Sequence, residues 1–200
     1  MQGFDGKIIF VAGATTDLGW RLLPAFERAN ARVILLDHDA DDLLEMAARC
    51  PGRFEPLPVT QKSSQQFTDI GRIWGAEPLH LLIDLLPIGL REGSDCMIGP
   101  SLALIEGLGQ GLRAAKGSVI SVIPTAAPED PVAYQVAEAG LCRMAQVLGD
   151  QWEPHGVQFN VLRPVAGASA QDMANAISFL AEAAIAQLSG VHVPIRPALH

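Results

Sequence analysis

The chain has 200 residues, 49% of them hydrophobic, 18% charged and 6% aromatic. That is enough for one domain with a full core, and a charged fraction below the roughly 25% usual for soluble domains implies extensive burial. A net charge of −8 argues against nucleic acid as the main ligand; no apolar run approaches the ~20 residues that span a bilayer, so no membrane role is expected. Three widely spaced cysteines (Cys50, Cys96, Cys142) and five scattered histidines suggest neither a disulfide framework nor a metal site, and a reducing cytoplasm is the expected compartment. The N-terminal MQGFDGK lacks the basic start and apolar run of a signal peptide.

The first apolar run, 8–11, leads through Gly13, Ala14, Thr15, Thr16, Asp17, Leu18 and Gly19 into a helix with Leu18, Leu22, Leu23 and Phe26 on one face. Such a turn leaves backbone N–H groups unsatisfied at a helix N-terminus, an arrangement that binds a pyrophosphate. Gly13 suits the tight turn, Gly19 the close approach of helix to strand, and Thr16 or Asp17 the cap. The second run, 33–36, ends in Asp37, where an acid accepts hydrogen bonds from a ribose diol and repels a 2′-phosphate, favouring NAD over NADP. His38 reads as a solvated loop residue, and Asp39, Asp41 and Asp42 as an acidic helix start.

A weaker strand surrounds 54–59, and further apolar runs lie at 81–83, 119–123, 157–162 and 191–193. Most are continuous rather than alternating, as in strands buried on both faces of a parallel sheet. Helical periodicity between them places Phe67, Ile70 and Trp74 together, and later Met173, Ile177 and Leu180. The expected architecture is one domain over 1–200, a doubly wound α/β Rossmann fold with a mostly parallel sheet of about seven strands and helices on both faces. Two helices carry small-residue faces: 100–115 with Gly107 and Gly111, and the helix from Pro131 with Ala133, Ala137 and Gly140. Such faces permit close backbone approach, either within the chain or between subunits.

At this point the chain resembles the short-chain dehydrogenase/reductase family over nearly its whole length. Residues 13–19 are similar to the family's TGxxxGxG turn, with Ala12 for threonine and Asp17 for the middle glycine. Val59-Thr60 resembles its DVT, with Pro58 in place of the aspartate. Residues 117–122 resemble its fifth strand, 131–141 its active-site helix, 156–164 its GxRVNxxxPG and 189–195 its final strand.

The resemblance implies a tyrosine and, four residues later, a lysine that together move a proton at the substrate oxygen, with a serine steadying that oxygen. Here Tyr134 holds the tyrosine position, but the lysine position is Glu138, the serine position is Pro124, and NNAG reads Asp84-Leu85-Leu86-Pro87. A phenol of pKa near 10 is only about a thousandth ionised at neutral pH. An ammonium nearby favours the phenolate and a carboxylate disfavours it. None of the lysines (Lys7, Lys62, Lys116) is expected to reach Tyr134. The family's long flap after Pro164 is shortened to residues 165–170, which leaves the cleft open to water.

These departures make a non-catalytic family member the leading expectation, a structural or regulatory subunit associated with an active dehydrogenase or reductase. The implied contact runs through the helices near 100–115 and 131–149, as a homo- or hetero-oligomer. NAD binding is expected to be weak or absent; its candidate residues are Gly13, Thr15, Thr16, Asp17, Leu18, Gly19 and Asp37. The alternatives are an NAD-dependent oxidoreductase for an alcohol or carbonyl, with Tyr134 in an atypical site, and an NAD-binding sensor.

Overall fold

A computed structural model describes residues 4–61, 63–88, 98–181 and 189–196. The apolar runs become strands β1 (Ile8–Ala12), β2 (Arg32–Asp37), β3 (Phe54–Pro58), β4 (Leu81–Asp84), β5 (Ser118–Val122), β6 (Gln158–Pro164) and β7 (His192–Ile195). They form one sheet, parallel throughout, in the order β3-β2-β1-β4-β5-β6-β7.

Each continuous run proves to be two interleaved alternations. Ile9, Val11, Val33, Leu35, Leu81 and Ile83 point to one side, towards helices α1 (Asp17–Ala29), α2 (Ala40–Ala48) and α7 (Ala170–Ala181). Phe10, Ala12, Ile34, Leu36, Leu82 and Val119 point to the other, towards α3 (Ser64–Trp74), α4 (Ile98–Gly107), α5 (Gly109–Ala115) and α6 (Val132–Trp152). With helices on both faces, every strand residue needs an apolar environment, and the two-residue period disappears from the sequence. No helix among the described residues is long and apolar enough to cross a membrane.

The 100–115 segment is two helices rather than one, joined at Leu108. Gly107, Gly109 and Gly111 each weaken the helix by about 1 kcal/mol relative to alanine, and the break falls among them. The same glycines serve contacts inside the chain. A Cβ on Gly71 of α3 would overlap the Gly107 backbone, and one on Gly111 would overlap the Glu77 carbonyl oxygen. Gly140 of α6 lies under the Ile98 side chain. Of the two readings of the small-residue faces, these glycines serve the one within the chain.

Candidate functional site

A doubly wound sheet opens a crevice beyond the strand C-termini where its strand order reverses, here between β1 and β4. The β1–α1 turn forms one wall. Gly13 adopts φ +77, and a Cβ there would come 3.0 Å from the Leu85 carbonyl carbon, so the turn rests on the end of β4. A Cβ on Gly19 would overlap the Ala14 carbonyl oxygen. Thr16 is the N-cap: its Oγ1 accepts the Gly19 N–H at 3.2 Å and donates to the Gly13 carbonyl at 2.9 Å.

Most backbone donors of the turn are already engaged. The Gly13 and Ala14 N–H groups both donate to the Leu36 carbonyl, at 2.9 and 3.1 Å, and the Thr16 N–H donates to the Gly13 carbonyl. Thr15 is taken by Asp37 and Gly19 by Thr16. Among the described residues, the N–H groups of Asp17 and Leu18 have no acceptor, so they are the donors left at the helix N-terminus. The Asp17 carboxylate turns to Arg21, one helical turn on, at 3.2 Å.

Asp37 ends β2 beside this turn, as its spacing predicts, but it is only 1% exposed. Its Oδ2 accepts the Thr15 N–H at 3.0 Å and the Thr15 hydroxyl at 2.8 Å. Its Oδ1 accepts the His38 N–H at 2.8 Å and faces His38 Nδ1 at 2.8 Å. His38 is therefore both solvated and bonded. Asp39 caps α2 through the Asp42 N–H, in keeping with the acidic helix start.

A second acid, outside the candidate site residues of the sequence, lies close to the crevice. Asp84, in the first position of the NNAG-like segment, is fully buried at the end of β4, on the α4 side of the sheet. It accepts the Leu86 N–H and the Ser121 hydroxyl, each at 3.2 Å. Burial pushes its pKa up to about 6, against the pull of the Leu86 N–H and then of Ser101 and Ser121. The Ser101 hydroxyl, also fully buried, favours the carboxylate from nearby yet makes no hydrogen bond of good geometry.

Tyr134 lies in the first turn of α6, and its hydroxyl donates to the Pro124 carbonyl at 3.4 Å. Glu138 follows one turn later and is not the isolated anion that the sequence suggests: Arg163 on β6 pairs with it. Arg163 is the functional-region residue that sequence reasoning missed. Its position just before Pro164 was a signal, because β6 lies under α6 in this fold. The pair has two titratable neighbours. Burial raises the Cys142 pKa, opposed by Arg163, and burial and then Arg163 lower that of His192.

Lys7 and Lys116 line a small cleft with His80, Ser118 and Gln158, at the opposite end of the sheet from the turn. They do not supply the missing cation. Lys62 lies outside the described residues. Only residues 165–169 separate β6 from α7, so the link is as short as its sequence suggests.

A dinucleotide is the group this fold implies. For its phosphates, the Asp17 and Leu18 N–H groups are suitably placed donors. For its riboses the residues are less accommodating: the Asp37 oxygens are engaged, and Glu138 stands where the resemblance expects a lysine.

Sheet order, turn and crevice define a doubly wound α/β domain of the Rossmann type. No family model matches the chain. The chain is 24% identical to the protein FixR of Bradyrhizobium diazoefficiens over an alignment of 248 residues, which covers 98% of this chain and 87% of that protein. It is 24% identical to an NAD-dependent glycerol dehydrogenase of Listeria innocua, over 82% of this chain and 74% of that one. A solved oxidoreductase of the short-chain dehydrogenase/reductase family from Burkholderia thailandensis superimposes with a TM-score of 0.78 at 21% identity, covering 95% of this chain and 91% of the other. In motif order and in fold the chain is similar to members of the short-chain dehydrogenase/reductase family.

Proposed function

We propose that this chain is a non-catalytic member of this family, a structural or regulatory subunit that associates with an active dehydrogenase or reductase and binds NAD weakly or not at all. The observation that carries the reading is the Glu138–Arg163 pair. The helix position from which the family's lysine acts holds a carboxylate, and the nearby cation is tied to that carboxylate. Two further features support it. Pro124 offers Tyr134 a carbonyl in place of a serine hydroxyl, and the β6–α7 link is too short to close over a substrate. The outer faces of α4 and α6 suit a partner: Val132 and Val136 are 75% and 63% exposed, with Leu102 and Ala103 half-buried.

The test is recovery of the chain from its host followed by native mass measurement, together with an assay of the purified chain. Co-purification with a larger dehydrogenase of the same fold, and no turnover, is the expected result. NAD(H)-dependent turnover of an alcohol or carbonyl that Tyr134→Phe abolishes would overturn the proposal.

One observation favours a second reading, an NAD-dependent oxidoreductase. Arg163 offsets the Glu138 charge, so the electrostatic objection to Tyr134 chemistry is weaker than the sequence suggests. The glycerol dehydrogenase relative points to small polyols and their carbonyl counterparts as the assay panel.

A further inference from the structure

We infer that the ribose acceptor of this crevice is occupied by the protein itself, and that His38 is the group a nucleotide must displace. This rests on reading the β1–α1 crevice as a dinucleotide-type cleft; it does not require that the chain be inactive.

A carboxylate offers about four lone-pair positions. Among the described residues, four protein groups at Asp37 meet them: the Thr15 N–H and hydroxyl on Oδ2, and the His38 N–H and ring Nδ1 on Oδ1. A ribose diol needs two such positions. The acid is also 1% exposed, so a sugar cannot reach it without moving something.

The four groups differ in how easily they leave. The Thr15 contacts belong to the turn, which is braced by the Leu36 carbonyl and the Thr16 cap. The His38 N–H is main chain following β2. The His38 ring is the exception, because its side chain is 62% exposed and, among the described residues, its contact is with Oδ1 alone. Swinging it into water uncovers Oδ1 without disturbing β2 or the turn. A phosphate at the Asp17 and Leu18 N–H groups needs no such movement. His38 thereby separates two ligand classes that a dinucleotide cleft normally takes together: bare phosphates or pyrophosphate, and adenosine-ribose ligands.

Titration of the whole chain with NADH, followed by cofactor fluorescence and calorimetry, tests this, with inorganic pyrophosphate as the ribose-free probe. His38→Ala keeps the main-chain donor and removes the ring. It should tighten NADH by about tenfold or more, the scale of a hydrogen bond to a charged group, and leave pyrophosphate unchanged. Adding Asp37→Asn should cancel the gain, with thermal melting confirming that the turn variant is folded. Equal NADH affinity in wild type and His38→Ala, including no measurable binding by either, overturns the inference. So does an equal gain for pyrophosphate, which would mean that the ring merely blocks the crevice. Turnover by the wild-type chain would refute the proposed non-catalytic role without altering this affinity ratio.

Discussion

Glu138 on α6 is ion-paired with Arg163 on β6 in the region where the family resemblance places a proton-transferring pair. The Glu138 side chain is 14% exposed and that of Arg163 30%, so water screens the pair only partly.

Arg163→Ala strands that carboxylate. The expected loss is about 1–2 kcal/mol, below the 3–5 typical when a fully buried pair is broken. Glu138→Gln in the Arg163→Ala background should recover part of it. Urea denaturation of the two singles and the double closes the cycle; purely additive effects would show that the two side chains are not coupled.

Asp84 predicts a pH signature of unusual sign for a carboxylate. Its folded pKa, about 6, lies above the unfolded value of 3.8, so the folded state holds its proton more tightly. Stability from this group is therefore present at low pH, falls as pH rises through 4 to 6, and is fully lost above that window. The cost at neutral pH is about 3 kcal/mol, taking 1.36 kcal/mol per unit. Asp84→Asn should remove most of it and give the Ser101 hydroxyl an amide partner. The difference between the two stability–pH curves should grow between pH 4 and 6 and then level off; a flat difference would rule out the assignment.

Gly71→Ala and Gly107→Ala each force α3 and α4 apart, because the added methyl meets backbone. A loss of about 1–3 kcal/mol is expected for each. Gly140→Ala should cost less, since it meets only the flexible end of Ile98. The losses should not vary with protein concentration. A concentration-dependent loss would move these glycines to a subunit interface.

Thr16→Ala removes the α1 cap and one brace of the turn, for a loss of about 1 kcal/mol. Thr16→Ser keeps the hydroxyl and should be nearly neutral. Thermal melts distinguish the two; equal melting temperatures for Ala and Ser would show that the cap carries no weight.

Much of this protein was legible from local chemistry. Apolar runs of strand length, separated by helical periods, specify a doubly wound sheet because each strand must be covered on both faces. The turn after β1 was readable because Gly13 and Gly19 sit where a positive φ and a helix–strand approach require them. The roles expected at Tyr134, Glu138 and Pro124 came from the family resemblance; the structure adds the contact of the Tyr134 hydroxyl with the Pro124 carbonyl.

Tertiary structure alone decided what those residues touch. The pairing of Glu138 with Arg163 joins positions 25 residues apart, and the brace from Asp37 to Thr15 joins positions 22 apart. Likewise, the helix glycines look the same in sequence whether they meet another subunit or Gly71 of their own chain. A sequence states which charges and donors a chain carries. Their partners depend on how strands and helices are brought together, because hydrogen bonds and ion pairs act over a few ångströms in space, whatever the separation along the chain.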